Sequence, residues 1–258
     1  MTESLWWLKQ SDLFRRLSAE QLARLESQST RRSFAPRSPL LLPSEAADSV
    51  FLLTEGLLKV SHVSGDGRES ILGYIEPGEL FGELAILNEA DRNDHVEAVE
   101  RSSVVALPAA ELRTLMSEHA DLAIAVTRLV GLRRQRIERR LRNLLFRSNR
   151  ERLLHLLLDL AEQFGAPTND GIELRVRLSH QDLAGLIGST RESVTVLMGE
   201  FKAAGDVGGG RRRVVLLNPC RIARAVGREK IRLPDKGFPN KALTDKPPLV
   251  PCLERASS

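Results

Sequence analysis

The chain has 258 residues, 42% of them hydrophobic and 28% charged, with a formal net charge of +4, which is ordinary for a globular protein and long enough for two modest domains, each with its own core. No apolar run approaches the ~18 residues that a membrane span needs, and "MTESLWWLKQSDLF" carries acidic residues and lacks the basic start and long apolar stretch of a secretory signal, so no membrane partner and a cytoplasmic location are expected. Cys220 and Cys252 are the only cysteines and lie far apart, which excludes a disulfide framework and a CxxC metal site.

Residues 4 to 27 read as a helical entry, with leucines at three- and four-residue spacing and Ser18 opening an S-x-x-Q capping pattern. From about 34 to 107 the period changes. Short apolar runs such as "SVFLLTEGLLKV" and "ESILGYI" are separated by the turn stretches "SGDG" and "EPGE", the spacing of successive antiparallel strands and hairpins.

From about 109 to 146 the pattern is helical again. Ala123, Val130, Ile137 and Leu144 recur every seven residues, with Val126, Leu129 and Leu141 nearby. Such a stripe suits pairing with a second copy, or packing against the chain's own β domain. A helix of about 25 residues reaches ~37 Å, more than one small domain covers, which favours pairing. Ten arginines against two glutamates over residues 128 to 152 suit either a polyanion partner or a solvated helix face.

Near "FRSNRER" the long helix should stop at a domain hinge. Ser148 or Asn149 caps the next helix, "RERLLHLLLDLAEQFG", which Gly165 closes. A short strand, "IELRVRL", then leads to two helical segments, "HQDLAGLIG" and "TRESVTVLMGEFKAAG", separated by a turn at Gly188 and Ser189. "DVGGGRRRVVLL" forms a hairpin with a basic tip, and from about 231 the chain is rich in proline and poor in period, as disordered segments are.

Helix, tight turn, helix and basic hairpin make a winged helix-turn-helix. Ser179 with Asp182, and Ser189 with Glu192, write a capping pattern at each helix start. Leu183, Ala184, Leu186, Ile187, Val194, Leu197 and Phe201 can pack the pair, leaving Thr190, Arg191, Ser193 and Thr195 outward. In a DNA major groove Arg grips guanine O6 and N7, and Glu accepts from cytosine N4. Glu192 keeps two readings. As the third residue of a capping box it serves only the Ser189 backbone; as a base reader it discriminates one base pair.

"LSHQDLAGLIGSTRESVTVLMGEF" is similar to the recognition motif of the Crp/Fnr family of bacterial transcription regulators, and "PGELFGELAIL" followed by Arg92 resembles that family's cyclic-nucleotide-binding signature. The resemblance covers roughly residues 10 to 225. It implies an α+β fold with an N-terminal antiparallel β-roll (residues 1–120), a dimerisation helix (121–147) and a C-terminal winged helix-turn-helix (148–228); the proline-rich remainder, 229–258, is expected from its composition to be a disordered tail. The resemblance further implies a homodimer on a pseudo-palindrome of double-stranded DNA, with RNA polymerase as a further partner, and no enzyme activity. Arg191 and Glu192 would be the base readers, flanked by Ser189, Thr190, Ser193, Thr195 and Val196. His180 and Gln181 would meet phosphates, and Arg211, Arg212 and Arg213 would form the wing. One departure is Val196, where relatives carry a third reader, Arg: valine can touch a thymine methyl but cannot donate to guanine.

The same resemblance implies a small effector, a cyclic nucleotide or another anion. Backbone N–H groups of the turn Gly82, Glu83, Leu84 and Ala85 would hold its phosphate, Glu83 would accept a ribose hydroxyl and Arg92 would pair with the phosphate. Asn93, Arg133 and Ile137 complete the set. Asn93 stands where cAMP binders have Ser or Thr, and Ile137 with Glu138 replace their Thr-Ser pair, so another anion or no ligand stays open. Without an effector, an internal salt bridge between Glu83 and Arg92 would hold the domain. Iron–sulfur sensing needs about four cysteines and is excluded; His62 and His95 remain as formal haem ligands. A rival reading is a cyclic-nucleotide-binding module acting on a protein partner.

Overall fold

The computed structural model describes residues 13–14, 17–41, 48–65, 69–87, 95–210, 212–233 and 249–251. Two compact units emerge, one running up to Ile137 and the other starting at Glu138. Among the described residues no helix is long and apolar enough to cross a membrane.

In the first unit, α1 (Ala19–Gln28) starts where expected, because the Ser18 hydroxyl accepts from Gln21 N–H while the Gln21 side chain returns to the Ser18 backbone. Eight strands follow: β1 (Thr30–Phe34), β2 (Pro39–Leu41), β3 (Ser49–Glu55), β4 (Leu58–Val63), β5 (Glu69–Ile75), β6 (Leu80–Phe81), β7 (His95–Ala98) and β8 (Ser102–Pro108). They form two antiparallel four-stranded sheets, in the orders β1-β8-β3-β6 and β2-β7-β4-β5. The runs "SVFLL" and "VVAL" do not alternate with polar residues, and the packing says why. Phe51, Leu53, Val104 and Ala106 join residues of the other sheet, including Leu58, Ile75 and Val96, in one core. Their neighbours Val50, Leu52, Val105 and Leu107 point the other way, into a second core with helical leucines. Strands β3 and β8 are thus buried on both faces.

That second core is completed by Leu22 and Leu25 of α1, Leu112 and Leu115 of α2 (Ala109–Glu118), and Leu122 and Val126 of α3 (Ala120–Phe146). The helix expected over 109 to 146 is therefore two helices. His119 is extended (φ −126°, ψ 95°), and its Nε2 accepts from the Gln21 amide of α1, so a tertiary contact holds the break.

The second unit is organised on α4 (Asn149–Phe164), capped by a Ser148–Glu151 box and burying Leu153, Leu154, Leu157, Leu158 and Ala161. Against it pack α5 (His180–Ile187), α6 (Arg191–Ala203) and α7 (Pro219–Ala225). The strand expected at "IELRVRL" is one arm of a hairpin, β9 (Gly165–Thr168) with β10 (Gly171–Leu174). It continues through β12 (Val215–Leu216) to β11 (Val207–Gly208). Gly165 does end α4, but with ordinary backbone angles (φ −71°, ψ 136°); glycine is needed there because a Cβ would lie 2.2 Å from the Ala161 carbonyl oxygen.

Helix α3 stops at Phe146 and Ser148 opens α4; the last turns of α3, from Glu138 on, group with the second unit, where Arg139 pairs with Asp159 of α4 at 3.4 Å and Arg140 donates to the Gly185 carbonyl of α5 at 3.1 Å. One expectation needs correction. The tail is not wholly without structure: β14 (Leu249–Pro251) pairs antiparallel with β13 (Lys230–Arg232). Ile231 and Leu233 are buried, Arg228 bonds Asp159 and Glu162, and Arg232 N–H donates to Glu162. The rest of the tail, 234–248 and 252–258, lies outside the described residues.

Candidate nucleic-acid interface and effector site

Helix α5 begins with the predicted box: the Ser179 hydroxyl accepts from Asp182 N–H at 3.1 Å, and the Asp182 carboxylate takes Ser179 N–H at 2.7 Å. It ends at Gly188 in the left-handed conformation (φ 63°), which any other residue adopts at a cost. Its carbonyls are served by cations, Gly185 by Arg140 and Ile187 by Arg152, whose guanidinium also takes the Leu144 and Arg147 carbonyls. Helix C-termini leave such carbonyls unpaired. Part of the arginine excess is therefore spent on carbonyls and ion pairs; Arg128 and Arg142 stay exposed without a partner among the described residues.

Helix α6 starts one residue later than its S-x-x-E pattern suggests. Thr190, not Ser189, is the cap: its oxygen accepts from Ser193 N–H at 3.2 Å and its proton goes to the Ser193 hydroxyl at 3.0 Å. Ser193 is then the residue a capping box would use, and Glu192 falls one short of it. The capping role for Glu192 is thereby corrected. Arg191 and Glu192 stand exposed on the first turn with no side-chain partner among the described residues. The buried face is Val194, Met198 and Phe201, with Leu197 only half-buried; Met198 takes the core position assigned to Leu197, since 194, 198 and 201 follow the helical period from the true cap.

Thr195 and Val196 are exposed. Thr195 is already bonded, to the Arg191 carbonyl and to His180 Nδ1, each at 2.8 Å. Burial first, then the cations Lys202 and Arg191, hold the His180 imidazole below its usual pKa, so it is neutral near pH 7. Gln181 is exposed. In the wing, Arg211 lies outside the described residues and Arg212 is exposed with positive φ (57°). Arg213 grips Glu173 of β10 through two hydrogen bonds, of 2.6 and 2.8 Å, so it braces the wing before it can meet any ligand.

In the first unit, Gly82 takes positive φ (72°) and leads into a five-residue 3-10 turn, Glu83–Leu87. Glu83 forms an ion pair with Arg133 of α3, which reaches its carboxylate at 2.7 Å and the Leu80 carbonyl at 2.7 Å; the pair expected between Glu83 and Arg92 involves a residue outside the described ones. Ala85 N–H is committed to the Gly82 carbonyl, and Arg113 takes the Ala85 and Ile86 carbonyls. Leu84 is 38% exposed and Ile137 55%. Arg92 and Asn93 lie outside the described residues. Among the described residues no three His, Cys, Asp or Glu side chains gather to hold a metal.

The apolar stripe of α3 divides. Leu122 and Val126 are buried, with Leu129 packed beside them, whereas Val130, Ile137, Leu141 and Leu145 are 43%, 55%, 53% and 65% exposed. Leu144 leaves the stripe and is half-buried, with its Cδ2 3.1 Å from where a Cβ on Gly188 would stand. The links of Arg133, Arg140 and Arg152, and the His180–Thr195 bond, left no pattern in the sequence, since each joins residues far apart along it; the Thr190 cap could have been found from T-x-x-S, had the stronger S-x-x-E not overlapped it.

Known families and proteins match this arrangement. A cyclic nucleotide-binding domain model matches residues 31–119, and a Crp-like helix-turn-helix domain model residues 151–225. The chain is 28% identical to the global nitrogen regulator of Synechocystis sp. over 214 residues, 82% of this chain and 93% of that protein. It is 26% identical to the CRP-like cAMP-activated global transcriptional regulator of Mycobacterium tuberculosis over 219 residues, 84% and 97% of the two chains. A solved CRP-family transcriptional regulator from Thermus thermophilus superposes with a TM-score of 0.65 at 28% identity, covering 76% of this chain and 96% of that one. A cyclic-nucleotide-binding β domain, a long helix and a winged helix-turn-helix in this order place the chain in the Crp/Fnr family of DNA-binding transcription regulators, which are not enzymes.

Proposed function

We propose that the protein is a cytoplasmic homodimer that reads a pseudo-palindromic DNA site with α6, Arg191 and Glu192 contacting one G·C pair in each half-site. The observation that carries this reading is the position of the cap. With Thr190 and Ser193 closing the helix start, the Glu192 carboxylate is uncommitted beside Arg191, both exposed on the first turn. Gln181 and Arg212 flank that face as phosphate contacts, while His180 turns its Nδ1–H to Thr195. The exposed stripe Val130, Ile137, Leu141 and Leu145 supports pairing of two α3 helices, which sets the recognition helices about 34 Å apart, one turn of DNA. RNA polymerase is the further partner that a transcription regulator of this type engages.

DNA binding proceeds without an added effector, because the carboxylate that would take a ribose hydroxyl is already neutralised by Arg133. A nucleotide or other anion entering there has to compete for that guanidinium. The likeness to a cAMP-activated relative supports the other arm, an effector that does so. Fluorescence anisotropy against a randomised pool and selected pseudo-palindromes, at fixed salt, with and without cAMP, tests both. Selective binding without additive is the expected result; Arg191→Ala and Glu192→Ala then relax discrimination at one base pair by about 1 to 3 kcal/mol. Binding that appears only with nucleotide assigns Glu83 and Arg133 to a working sensor. Binding insensitive to sequence overturns the reading.

A further inference from the structure

The second turn of α6 differs in chemistry from the first. Arg191 and Glu192 carry full charges, whereas Thr195 and Val196, one turn on, are exposed with nothing comparable to offer; Val196 is 62% exposed. The hydroxyl of Thr195 has a single proton, and it is donated to the Arg191 carbonyl oxygen. Its 2.8 Å contact with His180 therefore runs from an Nδ1–H into the threonine oxygen, which fixes the imidazole tautomer. With its proton given away and a lone pair filled, that hydroxyl has little left for a base edge. What remains is the γ-methyl of Thr195 beside the two methyls of Val196. Gly199, further along the same exposed face, adds no side chain, and even a Cβ there would meet nothing within 4 Å. In the major groove the one methyl that a base presents is the C5-methyl of thymine.

Resting on the assignment of α6 as the recognition helix, we propose that His180 is a positioning residue that occupies the Thr195 hydroxyl, so that Thr195 and Val196 present a methyl surface selecting thymine next to the base pair read by Arg191 and Glu192. An arginine at this position could grip guanine O6 and N7; this chain reads a methyl group instead. The bond to His180 matters because a free threonine hydroxyl would accept from the cytosine amine and blur the distinction.

The test starts from the tightest duplex selected from a randomised pool, with each thymine replaced in turn by deoxyuridine, which lacks only the methyl. One position per half-site should lose about fourfold in affinity, the worth of one buried methyl. Val196→Ala and Thr195→Ser should each reduce that sensitivity, the latter while keeping the hydroxyl and both of its hydrogen bonds. His180→Ala should narrow the preference for thymine over cytosine at the same position, and His180→Asn, whose amide can donate in place of Nδ1–H, should restore it. Loosening of the turn alone would weaken all sequences equally, so the base preference is the readout that decides. A duplex bound selectively but indifferent to deoxyuridine at every position overturns this inference and leaves the Arg191 and Glu192 assignment standing, as does a deoxyuridine effect unchanged in Val196→Ala and Thr195→Ser. Absence of selective binding to any duplex overturns the recognition-helix assignment on which the inference rests.

Discussion

His155 gives the stability of the second unit a defined pH dependence. Its side chain projects from α4 into the core, 8% exposed, with Nε2 unpartnered among the described residues. Burial, then the nearby Arg147 and Arg228 cations, push its pKa down from 6.5 to about 4, against a smaller opposing pull from Glu151. Between those values the unfolded chain takes up a proton that the folded unit refuses, so stability present above pH 6.5 is lost as the pH falls towards 4. The full shift is worth about 3.4 kcal/mol at 1.36 kcal/mol per unit, and residual solvent access to the ring brings the expected loss to about 2 kcal/mol. His155→Leu fills a similar volume and cannot charge. Urea unfolding of wild type and variant at pH 7.5, 6, 5 and 4.5, read by pulse-labelling hydrogen exchange at the α4 amides, separates this unit from the other. The wild type should lose about 2 kcal/mol more than the variant across that range. Parallel pH profiles for the two proteins would refute the reasoning, because no other change in the pair titrates.

The caps and turns of the second unit make further predictions. Thr190→Ala should cost about 1 kcal/mol, seen as a lower urea midpoint, and Ser189→Ala almost nothing; the reverse order would return the cap to Ser189 and Glu192 to a structural role. Gly188→Ala should destabilise by about 1 to 2 kcal/mol through its left-handed backbone, with Leu144 displaced, which thermal melts and the Leu144 methyl resonances would report. Ile137→Asp combined with Leu141→Asp should shift the protein to monomer in sedimentation velocity while leaving its circular dichroism intact, because both side chains are already exposed in the single chain; a monomeric wild type would remove the basis for a two-fold site.

Much of the architecture was legible along the chain because it is written in local terms. The boxes at Ser18 and Ser179 each use residues three apart and form as read; between Ser148 and Asn149, left open along the chain, Ser148 is the cap, boxed with Glu151. The β domain announced itself by period and turn stretches, although its double burial of β3 and β8 hid the usual alternation. The motif at "GSTRESV" was read correctly as a helix start and misplaced by one residue, since Ser189 and Thr190 are equally good caps in isolation.

The sequence by itself determined where most helices begin, which segments are strands, and that a basic wing follows two short helices, because hydrogen bonds within a turn and the period of apolar residues depend only on near neighbours. Tertiary structure alone decided which cap is used at α6, and so whether Glu192 is available. It also decided that Glu83 meets Arg133 across fifty residues, that Arg140 and Arg152 serve the carbonyls of a distant helix, and that His180 takes the Thr195 hydroxyl. These pairings join groups whose separation along the chain carries no period, and only the folded geometry selects one partner among many chemically equivalent ones.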